Sequence, residues 1–287
     1  MNGIVILNYN SYDLTCKLVQ KCLNINAIDK IVLVDNNSKD NFEEFVIDQN
    51  NDKIKYIKNS KNTGYAAGNN VGLKYLYENG YKFAFIANPD VEFNNETIEN
   101  ISDFLYKNKE YGIASSVRTQ NGNKNTGQFW TIPTYTEALF ESIFIGRKFQ
   151  NKYNQKKSNR LCNNTSKDYM DVEVVGGAFF GCNLSIMNKI DYLDEGTFLW
   201  YEENILGFKL RQNGYKEALL MNCSYEHNHK KKGHGNLMHK TFINSKKFYC
   251  YNYLKIGFLK KILLSIFDCI GIIENKVICF IYKEKNK

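Results

Sequence analysis

The sequence predicts an α/β fold with a doubly wound, mainly parallel sheet, followed by a C-terminal amphipathic helical segment. Two observations support this prediction. Short apolar runs rich in β-branched residues alternate with segments of helical periodicity over the first third of the chain. Polar patches follow the predicted strands, which is where open α/β sheets bind ligands. The predicted order is strand 3–7, helix 12–23, strand 29–35, helix 40–50, strand 54–58, helix 66–78, strand 83–87 and helix 97–108.

The individual elements follow from local residue patterns. Residues 3–7 read Gly-Ile-Val-Ile-Leu, a run typical of a buried parallel strand, and residues 12–23 place their apolar side chains at helical spacing. The helix at 66–78 is entered from a turn in which Gly64 and Gly68 permit positive φ and close backbone approach. Residues 83–87 form a strongly apolar strand that ends at a proline-stiffened turn.

The second half is less regular. Residues 119–170 are rich in Asn, Lys, Thr and Gln, and they predict an excursion over the ligand site. Strand-like patterning returns at 172–180. We therefore expect one main domain over residues 1–240 and a helical segment over residues 241–287.

The C-terminal segment, residues 255–282, carries apolar residues at helical spacing but is interrupted by charges. A membrane-spanning helix needs about 20 largely apolar residues, so we do not expect one here. An amphipathic helix is expected instead. Lysines flank its apolar face, which fits a membrane surface, and packing against the main domain or a twin subunit is the alternative.

Composition narrows the function classes. The 287 residues are 43% hydrophobic and 24% charged, as in ordinary globular proteins, and the net charge of +8 favours an anionic partner. No helix-turn-helix, zinc-finger or RNA-binding signature is present, so nucleic acid is not expected. None of the eight cysteines forms a Cys-x-x-Cys pair, which argues against structural zinc. Reduced cysteines and a strand starting at residue 3 predict a cytoplasmic protein without a signal peptide.

Two polar patches suggest nucleotide binding. Asp35 ends the second strand and could accept hydrogen bonds from a nucleobase imide or a ribose hydroxyl, or could cap the following helix. The block from 62 to 72 contains three glycines and three asparagines before a helix N-terminus, a natural place for phosphate or sugar hydroxyls. Its spacing matches neither the dinucleotide fingerprint nor the P-loop, and an ordinary turn is the alternative.

A metal site is suggested by Asp90, which follows Asn88 and Pro89. Its carboxylate suits a divalent cation shared with substrate phosphates, although an aspartate in a turn also bonds its own backbone. His227 and His229 point to opposite faces of an extended segment, so only one is expected to join a metal. Two solvated histidines are the alternative. The adjacent Lys230–Lys232 could hold a diphosphate.

Glu202 and Glu203 stand at the start of a helical pattern. Acidic residues favour this position through the helix dipole alone. Two adjacent carboxylates also disfavour simultaneous ionisation, which would raise one pKa and suit a general base.

Taken in order, these patches resemble family 2 glycosyltransferases of GT-A type, particularly the rhamnosyltransferase-like branch that builds bacterial polysaccharides. The resemblance covers about residues 3–230 and is most specific in the glycine–asparagine block and the Asn88–Asp90 turn, in this order. The matching stretches are residues 4–11, 34–40, 62–72, 88–90, 176–179 and 198–214.

This resemblance implies that a sugar is transferred with inversion from a nucleotide-diphosphate donor, of the dTDP-rhamnose or UDP-hexose type. The acceptor would be a hydroxyl of a glycan or lipid-linked glycan in capsule or O-antigen synthesis, and the cofactor Mn²⁺ or Mg²⁺. Residues 1–115 would bind the nucleotide and residues 116–240 the acceptor. A peripheral protein on the inner face of the plasma membrane, or a homodimer, would then use the C-terminal helix.

The resemblance also implies residue roles. Asp35 matches the residue that reads the base, and Glu203 holds the place of the catalytic base, with Glu202 as its rival. The metal ligands would be Asp90 with His227, or with His229 instead. The remaining donor-binding residues would be Asn8, Asn10, Asn37, Asn62, Gly64, Asn69 and Asn88. The acceptor side would comprise Gly176, Gly177, Ala178 and Trp200.

Two departures from the family pattern leave alternatives open. Asn88 replaces the first acidic residue of the metal motif, and Glu203 stands where the family usually has Asp. A non-catalytic sugar-nucleotide or glycan-binding relative therefore remains an alternative. A nucleotidyltransferase is disfavoured, because residues 8–12 after the first strand contain no glycine.

Overall fold

The computed structural model describes residues 1–120, 122–124, 128–150, 152–154, 168–227 and 236–285. Its strands are β1 Asn2–Asn8, β2 Lys30–Asp35, β3 Ile54–Lys58, β4 Phe83–Ala87, β5 Val91–Glu92, β6 Tyr111–Gln120, β7 Asn123–Lys124, β8 Phe129–Trp130, β9 Tyr169–Val172, β10 Val174–Val175, β11 Phe179–Asn183 and β12 Lys216–His227. Its helices are α1 Tyr12–Leu23, α2 Glu43–Gln49, α3 Tyr65–Glu78, α4 Asn95–Lys107, α5 Tyr135–Phe140, α6 144–150, α7 Leu184–Lys189, α8 Glu202–Gln212, α9 Asn236–Asn252 and α10 Phe258–Lys285.

The main sheet runs in the order β3-β2-β1-β4-β11-β6-β12-β5, with β7 paired to β6 and β9 paired to β12. Strands β3, β2, β1 and β4 are parallel. Strand β11 then runs antiparallel between β4 and β6, and β6 and β12 are parallel to each other. The predicted α/β fold with a doubly wound, mainly parallel sheet is confirmed, with antiparallel strands added from the second half of the chain.

Helices cover both faces of this sheet. The alternating side chains of β1 show the two layers, because Ile4 and Ile6 pack with α1, α2 and α4 while Val5 packs with α3 and α7. All three side chains have no solvent exposure. The core is therefore divided into two apolar layers by the sheet, as a doubly wound fold requires.

Small residues set the distance between α3 and β1. A Cβ atom added to Gly68 would lie 2.5 Å from a methyl carbon of Leu7, and one added to Gly72 would lie 2.5 Å from a methyl carbon of Val5. This close contact fixes the N-terminus of α3 against the carboxyl end of β1, where the candidate site lies.

The C-terminal helices form a third apolar cluster with α5 and the start of α8. Its buried members include Leu139, Tyr201, Ile205, Tyr249 and Leu264. The predicted helix is present as α10, with many apolar side chains exposed along its length. Among the described residues, no helix is both long enough and apolar enough to traverse a bilayer.

Candidate active site

The site lies beyond the carboxyl ends of β1, β2 and β4. Asp35 ends β2 and is fully buried, and its carboxylate accepts hydrogen bonds from Asn8 Nδ2 at 3.1 Å and from Ser38 N at 3.2 Å. Asn8 Oδ1 in turn accepts from the Thr15 hydroxyl at 2.8 Å. Asn8 and Asp35 are therefore brought together, as the sequence predicts, in an ordered polar cluster that joins β1, α1 and the loop after β2.

Asn10 and Asn37, which the sequence predicts to bind the sugar donor, lie on exposed loops beside this cluster. Asn10 and Asn37 both have positive φ, of 52° and 62°, which asparagine tolerates better than most residues. Asn10 N donates to Ser38 Oγ at 2.9 Å, and Asn10 Oδ1 accepts from Lys39 N at 3.1 Å. The loops after β1 and β2 are thus tied together around Asp35.

The glycine–asparagine block forms the adjoining wall. Asn62 Oδ1 accepts from Gly64 N at 3.0 Å and from Asn36 Nδ2 at 2.8 Å. Gly64 has φ +97°, and a Cβ atom there would collide with the Phe198 backbone, so only glycine fits. Tyr65 N donates to Phe198 O at 2.9 Å. The N-terminus of α3 is therefore covered by the loop that precedes α8.

Asn69 lies inside the protein rather than on an open surface. It is fully buried, its Nδ2 donates to Tyr65 O at 3.0 Å, and its Oδ1 has no hydrogen-bond partner among the described residues. The neighbouring Asn70 is also buried. Its side-chain Nδ2 donates to Leu193 O, and its Oδ1 accepts from Leu193 N. Asn70, which belongs to the glycine–asparagine block but was not among the predicted donor-binding residues, anchors the covering loop to α3.

Asp90 and His227 meet because β5 pairs with the end of β12. In this register His227 stands opposite Val91, and its Nε2 lies 3.2 Å from Asp90 Oδ1. The exposed side-chain fractions are 12% for His227 and 23% for Asp90. These two could contribute a carboxylate and an imidazole to a divalent cation. His229 and Lys230–Lys232 lie outside the described residues.

Gly177 and Ala178, two of the predicted acceptor-side residues, connect the Asn88–Asp90 turn to Glu203. Gly177 N donates to Glu203 Oε1 at 3.2 Å, and the Tyr65 hydroxyl donates to Gly177 O. One residue later, Ala178 O accepts from Asn88 N at 2.9 Å. A Cβ atom on Gly177 would collide with the Glu203 carboxylate. The segment Gly177–Ala178 therefore contacts the predicted base on one side and the predicted metal turn on the other.

The two glutamates differ in environment. Glu202 is 3% exposed and its Oε2 has no hydrogen-bond partner in the described part of the chain, whereas Glu203 is half-buried. Burial raises the pKa of Glu202 well above its usual range, and the neighbouring Glu203 charge raises it further. Burial also raises the pKa of Glu203, and hydrogen bonds from its own N–H and from Gly177 N oppose that shift. Glu203 is thus the more accessible of the two carboxylates.

The entry to α8 is unusual in backbone geometry. Trp200 and Tyr201 have φ of 69° and 70°, a left-handed conformation that bulky residues rarely adopt. The half-buried Trp200 ring packs 6.0 Å from the Phe242 ring, centroid to centroid, on α9. Trp200 therefore lies next to the glutamates, and its ring contacts the C-terminal helices.

Arg118 lies near the predicted metal residues, although the sequence did not single it out. Arg118 on β6 pairs with Tyr225 on β12. His227 follows Tyr225 by two residues on β12, so its side chain lies on the same face of the sheet. The Arg118 Nε is buried without a hydrogen-bond partner among the described residues, as is Nε2 of the neighbouring Gln128. Burial raises the pKa of Tyr225 to about 12, with Arg118 lowering it and Asp90 raising it. A lone arginine carries no motif, so only the strand register shows that it belongs here.

Comparisons with known proteins agree with this geometry. Residues 3–172 match the family model described as Glycosyl transferase family 2. The chain is 27% identical over 211 residues to the low-salt glycan biosynthesis hexosyltransferase Agl10 of Haloferax volcanii, covering 73% of this chain and 61% of that protein. The chain thus spans about three fifths of the length of this relative.

Solved structures show the same fold. A crystal structure of GalNAc-T7 with UDP, GalNAc and Mn²⁺ superposes with a TM-score of 0.62 at 15% identity, covering 88% of this chain and 49% of that one. S. aureus TarS 1-349 in complex with UDP-GlcNAc gives a TM-score of 0.55 at 13% identity, covering 93% and 71%. The fold is therefore of GT-A type, and with a family match over more than half of its residues, this chain belongs to the family 2 glycosyltransferases.

Proposed function

We propose that this protein is an inverting, metal-dependent glycosyltransferase that uses a nucleotide-diphosphate sugar of the dTDP-rhamnose or UDP-hexose type. The acceptor in this proposal is a hydroxyl of a glycan or lipid-linked glycan in cell-surface polysaccharide synthesis, such as capsule or O-antigen. The rhamnosyltransferase-like branch is proposed on the sequence motifs, and hexose transfer on the likeness to Agl10.

One observation carries the proposal. The short segment Gly177–Ala178 hydrogen-bonds Glu203 through one backbone group and Asn88 through another. A half-buried carboxylate and the turn that holds Asp90 are therefore fixed relative to each other by two adjacent residues. A base and a diphosphate-binding turn held at one fixed spacing are what a single displacement at a sugar carbon needs.

In the proposed reaction, Glu203 accepts the proton of the acceptor hydroxyl while that oxygen attacks the anomeric carbon. The bond from this carbon to the diphosphate breaks on the opposite face, and the electron pair leaves with the nucleotide diphosphate. No covalent enzyme intermediate is needed. Burial raises the pKa of Glu203 towards the working pH, which favours general-base chemistry. Glu202 is the alternative base, and its deeper burial makes it the weaker candidate.

The donor site is proposed from the residues around Asp35 and Asp90. Asp90 and His227 would hold Mn²⁺ or Mg²⁺, and one carboxylate with one imidazole leaves room for phosphate oxygens and water. A bound cation supplies charge stabilisation for the leaving diphosphate. Arg118 would add a fixed positive charge next to this pair, because its Nε is buried and unpartnered within the described ranges. Among those residues, no cluster of three or more His, Cys, Asp or Glu side chains that could hold a metal occurs.

The C-terminal helix is proposed to bring the enzyme to the inner face of the plasma membrane. Leu259 is 80% exposed and Phe258 75% exposed, and Lys260 is exposed beside them. An apolar helical face flanked by lysines suits an interface with anionic lipids, where a lipid-linked acceptor would be presented. A homodimer through the same face is the competing proposal.

Donor binding is the first test. Thermal unfolding would be followed with UDP-, dTDP-, GDP- and CMP-sugars, each with and without Mn²⁺. A ligand that binds only the folded state raises the apparent stability with the logarithm of its concentration over Kd. We expect a metal-dependent shift with the sugars of one nucleotide. An absence of any shift would favour a non-catalytic glycan-binding relative.

Asp90→Ala tests the metal assignment. We expect this variant to lose the Mn²⁺-dependent part of the shift, because the carboxylate next to His227 is gone. The exposed Asp13 on α1 gives the matched control, Asp13→Ala, which should respond as the wild type does. An unchanged Mn²⁺-dependent shift in Asp90→Ala would remove Asp90 from the metal site.

A further inference from the structure

The loop from Leu193 to Tyr201 leads into the two glutamates and is enclosed by other elements. On one side Phe198 O accepts from Tyr65 N at the start of α3. On the other side Leu199 O accepts from Ser245 Oγ of α9 at 2.8 Å. The backbone immediately before Glu202 is therefore held between the nucleotide-binding half and the C-terminal helices.

The second half of α9, with Tyr253 just after it, contacts this loop at several points. The Tyr253 hydroxyl donates to the Asp194 carboxylate, and the Phe248 ring fills the space where a Cβ atom of Gly196 would lie. The rings of Tyr201 and Tyr249 pack 5.4 Å apart, centroid to centroid. These contacts leave the loop little freedom to move away from α9.

A buried polar network extends from the loop into the C-terminal helices. The Tyr201 hydroxyl donates to Glu141 Oε2 at the end of α5. Next to Glu141, Ser142 Oγ donates to Asp268 Oδ1 of α10 at 2.8 Å. Lys246 of α9 donates to the same carboxylate oxygen at 2.5 Å, and it has no solvent exposure. The Lys246 charge also lowers the pKa of Glu141, which burial raises.

We propose that Tyr201 and Glu141 are positioning residues, through which α9 and α10 hold the Glu202–Glu203 pair in its working geometry. The backbone at Tyr201 is in a left-handed conformation, which is unfavourable for a bulky residue and persists only where surrounding contacts enforce it. The Tyr201–Glu141 hydrogen bond and the aromatic packing supply those contacts. The C-terminal helices then position the two glutamates, in addition to forming the proposed membrane-binding surface. This inference rests on the proposed role of Glu203 as the base.

Tyr201→Phe tests the inference with little loss of packing, because only the hydroxyl is removed. We expect kcat for donor hydrolysis to fall about tenfold or more, with little change in donor KM, since the proposed donor site lies around Asp35 and Asp90 rather than on α9. Donor hydrolysis of UDP-glucose and dTDP-rhamnose would be measured. The matched control is Tyr135→Phe, which removes another hydroxyl that bonds a C-terminal carbonyl, Lys260 O, at 3.0 Å away from the loop.

The network itself is tested at Glu141. Glu141→Gln keeps an acceptor for the Tyr201 hydroxyl and should retain near-wild-type kcat. Glu141→Ala removes the acceptor and should reproduce the Tyr201→Phe defect. If Glu141 acted only through its negative charge, Glu141→Gln would lose kcat as Glu141→Ala does, which would contradict the hydrogen-bond role.

A substrate-free measurement separates this inference from the proposed function. The two tryptophans of the chain, Trp130 and Trp200, both lie beside α8, with Trp130 Nε1 donating to Asn204 and Trp200 next to Tyr201. Acrylamide quenching of their fluorescence should increase about twofold in Tyr201→Phe and Glu141→Ala, and not in Tyr135→Phe. Unchanged quenching together with unchanged kcat in a folded Tyr201→Phe would overturn the inference. If the wild type hydrolyses no donor and quenching still increases in Tyr201→Phe and Glu141→Ala, the positioning role is sustained while the proposed reaction is contradicted.

Discussion

At the scale of single residues, Gly177 determines the geometry of the site. Its N–H donates to Glu203, its carbonyl accepts from Tyr65, and no side chain can be added without meeting the Glu203 carboxylate. Burial and the adjacent Glu203 raise the pKa of Glu202, which favours its neutral form. The environment thus separates the deeply buried Glu202 from the more accessible Glu203, which accepts a hydrogen bond from Gly177 N.

We expect Glu203→Gln to lower the transfer rate by about 10²–10⁴-fold, the usual contribution of a positioned general base. Donor binding should be unchanged, because the amide oxygen can still accept from Gly177 N. Steady-state kinetics and donor-induced thermal shifts would measure the two effects. Glu202→Gln is the matched control and should keep most of the activity. A larger loss in Glu202→Gln than in Glu203→Gln would move the base one residue earlier.

Glu217 gives a prediction about stability and pH. It is 3% exposed, its Oε2 accepts from Val175 N at 2.8 Å, and burial followed by the charge of Glu203 raises its pKa well above the usual range. The folded state therefore holds this proton to higher pH than the unfolded chain, whose glutamates titrate near pH ~4.3. Its contribution to stability is full below that value and is lost as the pH rises towards the folded-state pKa.

Glu217→Gln removes this loss, because the amide is uncharged at every pH. We expect the variant to melt roughly 2 °C or more above the wild type at pH 8, and the difference to vanish near pH 4.5. The exposed Glu110 supplies the control, since Glu110→Gln removes no burial cost. Calorimetry at several pH values would measure the difference. A difference in melting temperature that stays constant with pH would contradict a raised pKa of Glu217.

At the scale of elements, the contact between α3 and β1 supports the donor side of the site. Gly72 faces Val5 so closely that an added Cβ atom would lie 2.5 Å from Val5 Cγ1. We expect Gly72→Ala to destabilise the protein by about 1–3 kcal/mol, the usual cost of overpacking a core. Gly257→Ala is the control, because nothing lies within 4 Å of a Cβ atom there. Urea unfolding would measure both, and equal midpoints would show that α3 can shift without cost.

Local sequence patterns were sufficient to predict several helices and strands of the first third of the chain. The helix Tyr12–Leu23 and the strands Ile54–Lys58 and Phe83–Ala87 have the bounds that periodicity predicts, because each is bordered by clear polar or glycine signals. The order of the polar patches was also sufficient to predict the family. Pairings between distant segments were not predictable, because strand register depends on contacts that sequence spacing does not encode.

Three residues illustrate that limit. His227 reaches Asp90 only because two-residue β5 pairs with the end of β12. Arg118 reaches the same region through the parallel register of β6 and β12. The Tyr201 hydroxyl bonds Glu141, which lies sixty residues earlier in the chain. Of the three, only His227 was singled out from the sequence, and in each case tertiary structure sets the partner.

At the scale of the whole molecule, an exposed apolar stripe runs along α10. Ile262, Ile266, Ile270 and Ile273 form an exposed stripe at helical spacing, on a protein of net charge +8. The opposite side of the helix is buried through Leu264 and Asp268. Helix α10 is therefore anchored to the body on one side and presents an unpaired apolar stripe on the other, within the described residues.

The membrane proposal predicts that the full chain sediments with vesicles containing phosphatidylserine and that binding weakens as salt increases, because the lysine contribution is screened. The double variant Ile266→Asp with Ile270→Asp should reduce the bound fraction by about tenfold, since two charges enter the apolar face. Ile47→Asp is the matched control, because Ile47 is 72% exposed on α2, away from the stripe. Equal binding of the double variant and the wild type would contradict the proposal. Loss of a dimer in the double variant, measured by light scattering without vesicles, would assign the stripe to a twin subunit instead.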